Sequence, residues 1–448
     1  MIENIENKAS LMDKCLLLCA VFCTAPIIAI VVGGRSISFF DIFFVISVVI
    51  IVPTCLRKMF FTICKNNAQK ALITWLVLSL VSCLFGILYY INRQVWFDNA
   101  LYYGIKTTIY LIYVLLLFNS NCNPRYILKG LEIGVITNLI WVDIDAIYYY
   151  LFGTSLTNTI FRSYIIANNV RYGSIDTFDG ALIRPGGFNT DPASIGLFAP
   201  FLLLSGLLKK KPWMVALAIS SIIFSGSTTS LVCCFIAFTI CFVGIWLKRT
   251  EIRISVKVVL SVLVVSLVVV VVGYHYIDAI VGRILMIYNR VNTVYVSGDM
   301  ENVRVSFITQ LPRAIMNQGI KFFTGTGFNS SSEGYLYPNI NSYTMQLRRS
   351  INNLPHDIEN LYISYLLDNG IFGFTFFAIM QYRLYKWAKN GMSSYDSEES
   401  ILAVSSMIAI MLSSVFYHYT LYSFHILCWA AVSMLGNDEF FKEKRVLL

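Results

Sequence analysis

The stretch 355-PHDIENLYISYLLDNGIFG-373 marks the point where a long polar segment, roughly 274–357, gives way to apolar sequence. It places His356, Asp357 and Glu359 within four positions, in a chain of 448 residues that has only four histidines. Around it the composition is 57% hydrophobic and 13% charged, whereas soluble domains carry about a quarter charged residues. Over this length, that balance implies a polytopic membrane protein rather than a large soluble core. No cleavable-signal pattern is expected, since the first apolar run, from about Leu16, continues into a spanning segment. The eleven cysteines avoid both long polar segments, so no structural disulfides are expected. Cys15, Cys19 and Cys23 share a helical face, but no histidine or acid joins them, and they read as core packing rather than a metal site.

A spanning helix needs about 20 apolar residues. Spans are expected near 13–32, 39–56, 71–90, 99–118, 127–151, 193–208, 212–227, 229–247, 256–273, 368–387, 400–417 and 421–436. The expected fold is therefore an all-α polytopic membrane protein, one membrane domain over 1–448, interrupted by two large loops at 153–192 and 274–357. With the N-terminus inside, every inner connection is basic, from Lys8 and Lys14 through Lys209, Lys210 and Lys211 to Lys442, Lys444 and Arg445. Both termini are then cytoplasmic and both large loops face out. The basic residues also sort by type. Fifteen of the twenty-one inner ones are lysine, whereas eleven of the twelve outer ones are arginine and Lys321 is the exception. Arginine binds phosphate and carboxylate in a planar, bidentate way, so the outer face reads either as an anion-binding face or as loops carrying solvated arginine. This distribution argues against nucleic acid as the partner of the +9 net charge.

The first outer loop ends in Arg184-Pro185-Gly186-Gly187-Phe188, followed by Asn189, Asp191 and Pro192. A Gly pair lets backbone N–H groups approach a ligand, and an adjacent arginine can clamp an anion; a plain turn is the other reading. In the second loop, Arg304 lies in ENVRVSFITQLPRAIMNQG, where helical apolar spacing is bent or restarted at Pro312, which precedes Arg313. The segment FFTGTGFNSSSEGYLYP follows, a Gly-rich turn; Tyr335, Tyr337 and Tyr343 are either sugar-stacking residues or ordinary loop tyrosines. Within the spans, Lys106 lies at a depth similar to that of Asp143 and Asp145, which suggests an ion pair, structural or part of a proton relay.

Taken together, these features resemble the bacterial O-antigen polymerase and O-antigen ligase group: about twelve spans, cytoplasmic ends and two dominant periplasmic loops. RPGGFNTDPASIG resembles the group's Arg–Gly–Phe, Asp/Glu–Pro element, and ENVRVSF followed by FFTGTGFN resembles its Arg…Gly-x-Gly element. Arg162 and Gly173, with ten residues between, match the spaced Arg–Gly motif of the polymerases, which Arg313 and Gly325 repeat imperfectly. Ligases carry His, then Asn/Ser/Gln, nine residues, Gly, two residues, Gly. Here Asn360, Gly370 and Gly373 keep that spacing, but Glu359 stands where the histidine should be, with His356 one helical turn back.

That substitution makes the resemblance one to Wzy-type polymerases rather than ligases. It implies a glycosyltransferase that joins undecaprenyl-diphosphate-linked oligosaccharide repeat units at the periplasmic face of the bacterial inner membrane, in lipopolysaccharide biosynthesis. Glu359 is expected as the base, with His356 second. Arg184, Arg304 and Arg313, supported by Arg162 and Arg171, are expected to hold the diphosphate, and Gly186, Gly187, Asn360, Gly370 and Gly373 to support the motifs. No cofactor and no metal are expected. The partners are the lipid-linked oligosaccharide and the bilayer, with a chain-length regulator and a flippase as further candidates. The alternatives are an O-antigen ligase acting on lipid A-core and a flippase of lipid-linked oligosaccharide; the flippase is disfavoured because no internal repeat is seen and the charge lies in the outer loops.

Overall fold

The computed structural model describes residues 10–32, 35–56, 64–167, 185–189, 194–247, 308, 310–335, 360–394, 398–416 and 423–435. Its first helix, α1 (Leu11–Phe22), opens at Ser10, whose hydroxyl accepts from the Asp13 N–H while the Asp13 carboxylate accepts from the Ser10 N–H. This is a reciprocal capping box. The expected span 13–32 is corrected at its second half. The helix stops at Phe22, and an antiparallel hairpin of β1 (Ala29–Val32) and β2 (Arg35–Ser38) follows, with Ile30 opposite Ile37. Pro26 would remove an N–H and clash one turn back in a continued helix, and the β-branched run from Ile27 to Val32 suits a strand.

The helices that follow are α2 (Phe39–Leu56), α3 (Asn67–Tyr89), α4 (Gln94–Asn119), α5 (Pro124–Phe152), α6 (Leu156–Ile160) and α7 (Arg162–Ala167). Next come α8 (Ile195–Leu208), α9 (Pro212–Ser225) and α10 (Thr228–Leu247). The polar segment contributes α11 (Leu311–Gln318) and α12 (Lys321–Thr324), then a 3-10 turn at Ser331–Tyr335. The last helices are α13 (Leu361–Asp368), α14 (Gly370–Ser394), α15 (Glu398–Phe416) and α16 (Ser423–Met434). Among the described residues, Phe39–Leu56, Asn67–Tyr89, Gln94–Asn119 and Glu398–Val415 are long and apolar enough to cross a membrane. They coincide with four expected spans. The shorter apolar helices are Ile195–Leu208, Pro212–Ser225, Thr229–Cys241 and Ser423–Met434. The expected span 256–273, residues 168–184 of the first loop and most of 274–357 lie outside the described residues.

Two helices have no polar face and sit at the centre, as helices apolar all round must. In α8 every residue from Ile195 to Gly206 is buried, and in α16 every residue from Phe424 to Met434. Helix α16 packs against α3, α4, α5, α14 and α15, and α8 packs against α5, α9, α10 and α15. Helix α1 lies closely along α5 because Gly130 and Gly134, four apart, face it: a Cβ on either would strike the Leu17 or Val21 carbonyl. This is a small-xxx-small contact of the kind that lets membrane helices approach closely.

Residues expected on the inner side gather at one end. The Asn123 N–H donates to Asp13 at 3.0 Å, Arg125 pairs with Glu399 at 3.3 Å, and Lys211 pairs with Glu398 at 3.4 Å. The ion pair of Lys209 with Glu132, at 2.8 Å, is the most enclosed of these, with the Lys209 side chain only 3% exposed. Removing one partner of a buried pair strands the other charge at a cost of about 3–5 kcal/mol. Lys209→Met should therefore lower the melting temperature of the detergent-purified protein sharply, and Lys209→Met with Glu132→Gln should recover most of the loss. A single variant that melts like the parent would show that the pair contributes nothing.

Candidate functional site

Asp368 ends α13 and is fully buried, so its carboxylate must be satisfied by hydrogen bonds. The polar loop after α12 supplies most of them. The N–H groups of Asn329 and Ser330 donate to it at 3.1 and 3.0 Å, and the hydroxyls of Ser330 and Ser364 each at 3.2 Å. The Asp368 carbonyl in turn accepts from the Thr326 and Gly327 N–H groups, both at 2.8 Å. Two chain segments thus cross with almost no space between backbones. A side chain on Gly325 would strike the backbone of Asp368 and Asn369, and one on Gly370 would strike that of Phe323 and Gly325. At Gly325, φ 75 and ψ 177 place the residue in a region essentially restricted to glycine. The Gly-x-Gly element of the second loop and the Gly-x-x-Gly element after Asn360 are two halves of one crossing.

The crossing is tied into the helices beneath it. Phe328 inserts between Trp75, Tyr103 and Tyr365, with ring centroids 6.3, 6.4 and 5.5 Å away. Asn99 of α4 donates to the Phe328 carbonyl at 3.1 Å, and Ser82 of α3 donates to the Thr324 carbonyl at 2.8 Å. A cleft of about 310 Å³ opens beside it, lined by Arg93, Asn317, Gln318, Lys321 and Glu333. Glu333 is the hub of that cleft, accepting from Arg93 at 2.7 Å, from Lys321 at 2.9 Å and from the Tyr90 hydroxyl. Burial first, and then the Glu333 charge, push the Tyr90 hydroxyl well above its usual pKa, so it remains a donor. Arg93 lies over the Trp96 ring at 4.6 Å and Lys321 over Tyr90 at 5.0 Å. Such cation–π placement restrains both cations.

The Gly pair of the first loop is also built into the bundle. Gly187 adopts φ 70, and a Cβ there would strike Asn138 of α5. Asn138 spans two segments: its Nδ2 donates to the Thr24 carbonyl at 2.7 Å and its Oδ1 accepts from the Phe188 N–H at 3.3 Å. Phe188 stacks on Trp141 at 4.9 Å. Gly186 is buried beside it.

Of the other expected site residues, Asn360 caps α13 by accepting from the Ile363 N–H at 3.0 Å, and its Nδ2 donates to the Val415 carbonyl at 2.8 Å. Gly373 sits against Asn369. Arg313 is exposed on α11, a helix that packs on α13 and on the 3-10 turn, and Arg162 is exposed at the start of α7. Glu359, His356, Arg184, Arg171 and Arg304, with Tyr337 and Tyr343, lie outside the described residues. The expected pairing of Lys106 with Asp143 or Asp145 is corrected: among the described ion pairs Lys106 joins neither. Asp143 accepts from Ser220 at 2.5 Å. Asp145 accepts from the hydroxyls of Ser155 and Thr157 at 3.0 and 2.9 Å. Asp368, Glu333, Arg93 and Gln318 were not singled out by the sequence reading. The available signals were Lys321, the lone lysine expected on the outer side, and an acid embedded in each glycine motif.

Fold and site together define a helix-rich membrane protein with a polar loop locked across the ends of apolar helices. Residues 213–378 match the family model Wzy_C, described as O-antigen ligase. That match spans the whole Gly325–Asp368 crossing and supports a place in the O-antigen polymerase/ligase group of glycosyl-transferring enzymes. No curated protein matches the chain. Because Gly325 tolerates no side chain, Gly325→Ala should cost about 1–3 kcal/mol from backbone strain alone, before any clash. Thermal unfolding in detergent, read against Gly104→Ala, a helical glycine whose Cβ would meet only the Cys83 side chain at 3.6 Å, is the check; equal melting temperatures would contradict the crossing.

Proposed function

We propose that the protein is a Wzy-type O-antigen polymerase. It would join undecaprenyl-diphosphate-linked oligosaccharide repeat units at the periplasmic side of a bacterial inner membrane, with both termini cytoplasmic. The observation that carries the reading is the family match over a segment in which both glycine motifs interlock. Its refinement to polymerase comes from the sequence: Glu359, immediately before the capping residue Asn360, stands where ligases carry histidine.

In the proposed reaction the acceptor hydroxyl oxygen bonds to the anomeric carbon of the donor sugar. The bond from that carbon to the diphosphate oxygen breaks, and its electron pair leaves with the lipid diphosphate. The hydroxyl proton passes to Glu359, with His356 as the second candidate. Arg184, Arg304 and Arg313, helped by Arg162 and Arg171, hold the diphosphate and stabilise the charge it gains. No cofactor or metal is needed for this balance. A chain-length regulator and a flippase are the expected companions.

The description attached to the matching family favours one second reading, O-antigen ligase. Deletion followed by a lipopolysaccharide gel separates the two. Loss of a polymerase leaves lipid A-core bearing single repeats. Loss of a ligase leaves polymer on the carrier lipid and none on lipid A. For Glu359→Gln we expect the long-chain ladder to disappear with single-repeat caps retained, since a general base contributes roughly 10²–10⁴-fold. A normal ladder would remove Glu359 from the mechanism.

A further inference from the structure

We infer that the exposed face of α14 is a binding surface for an anionic phospholipid, its headgroup held by Arg383, Lys386 and Lys389 and its acyl chains lying along the apolar residues that precede them. The inference is independent of the reaction the protein catalyses.

The first observation is one continuous face. Phe372, Phe376, Ile379, Tyr382, Lys386 and Lys389 follow at steps of three or four along α14, and all are exposed. That is the spacing of side chains on one side of a helix. The face is apolar at its start, carries the ring of Tyr382 midway and is cationic at its end, where Arg383 flanks it. Helix α14 packs against α3 and α15, both long and apolar enough to span a membrane. Its apolar part therefore continues the surface that those helices offer to acyl chains. A tyrosine followed by long cationic side chains is the order expected where a helix passes from hydrocarbon to headgroups.

The second observation is that the cations have no other task. Among the described residues, the side chains of Arg383, Lys386 and Lys389 join no ion pair and no hydrogen bond. Helix α14 holds no acid, and neither do α3 and α16, which pack on it. The acids that open α15, Glu398 and Glu399, are paired with Lys211 and Arg125. None of the three cations lies in the last turn of α14, where a positive charge would offset the helix dipole. The end of α14 also meets the start of α3. Trp387 donates to the Leu435 carbonyl at 2.6 Å, and Asn66, the cap of α3, donates to the Ser433 carbonyl at 2.8 Å. Lys70, exposed in the first turns of α3, adds a further cation at that end.

That combination selects the ligand. Arg383 to Lys389 spans about 9 Å of helix rise, with no carboxylate between. Such a cluster favours a headgroup of net negative charge over a zwitterionic one, whose cationic group it repels. Free phosphate would satisfy the cations alone, whereas a phospholipid also covers Phe372, Phe376 and Ile379. Near an anionic bilayer surface each Lys or Arg strengthens binding about fivefold.

The test uses the full-length protein in detergent, titrated with dioleoylphosphatidylglycerol or dioleoylphosphatidylcholine. Bound lipid is counted by native mass spectrometry, and melting temperatures are recorded. The triple variant Arg383→Gln, Lys386→Gln, Lys389→Gln is read against the parent and against Lys65→Gln, Lys129→Gln, Lys210→Gln. The second triple removes three other exposed lysines at equal loss of charge. Glutamine has a helix propensity close to that of lysine and arginine, so the α14 variant should fold. We expect the parent to prefer phosphatidylglycerol at least about tenfold, the α14 triple to lose that preference, and the other triple to retain it. The single Lys386→Gln, expected to weaken phosphatidylglycerol binding about fivefold, gives the same reading if the triple melts below the parent without lipid. No preference in the parent, an equal loss in both triples, or a parent-like affinity in Lys386→Gln and the α14 triple alike overturns the inference. So does displacement of the lipid by sodium phosphate, since the cluster would then hold a free anion.

Discussion

A buried carboxylate with nowhere to go but a neighbouring loop is the constraint on which the rest of this structure depends. Asp368 lies at the end of a helix, away from solvent, and its own helix supplies the Ser364 hydroxyl. Three further donors come from Asn329 and Ser330, so the polar loop must pass directly over the helix end. That path is open only if the crossing backbones lack side chains. Gly325 and Gly370 meet this requirement from both sides. The two glycine motifs are thus one feature seen twice in the sequence, and their spacing is set by the need for both strands to meet at Asp368.

Once the crossing is fixed, the loop organises the helices around it. Phe328 follows two residues after Thr326 and enters the aromatic cluster of Trp75, Tyr365, Phe377 and Trp429, which joins α3, α13, α14 and the central α16. Five residues further on, Glu333 reaches the α3–α4 connection and gathers Tyr90, Arg93 and Lys321. A short loop therefore carries an apolar anchor into the bundle and a polar hub to its rim. A polar loop so tied is anchored at both its apolar and its polar end rather than lying as a loose cover.

The parts legible in the sequence were those whose signal is local. Four long apolar helices are read directly from hydropathy, the restart at Pro312 is met by α11 beginning at Leu311, and the motif spacing from Asn360 to Gly373 corresponds to a cap, a short helix and a break. What was not legible depended on tertiary partners or on degenerate signals. The run Ile27–Val32 is as apolar as a membrane helix, so hydropathy alone cannot separate span from hairpin. Asp143 and Asp145 looked like partners for Lys106 because depth was the sole available guide, and hydroxyls brought in by α9 and by the chain after α5 took that role. The cleft joins Arg93 to Glu333 across 240 residues, a pairing that no spacing rule contains.

The arginines expected on the outer side have surroundings that composition could not show. The sequence left two readings, an anion-binding face or solvated charge, and Arg93, 43% exposed, is a solvated charge that also pairs with a carboxylate. It is stacked on Trp96 and committed to Glu333, and Lys321, the exceptional outer lysine, shares the same carboxylate. Lysine is tolerated there because one compact charge over two tyrosine rings meets the need, with no planar recognition required. Arg313 and Arg162 are exposed as well, on helices beside the locked loop and in the first polar segment respectively. Arg93 and Lys321 are thus each positioned by a shared carboxylate and by aromatic rings, which a merely solubilising cation would not need.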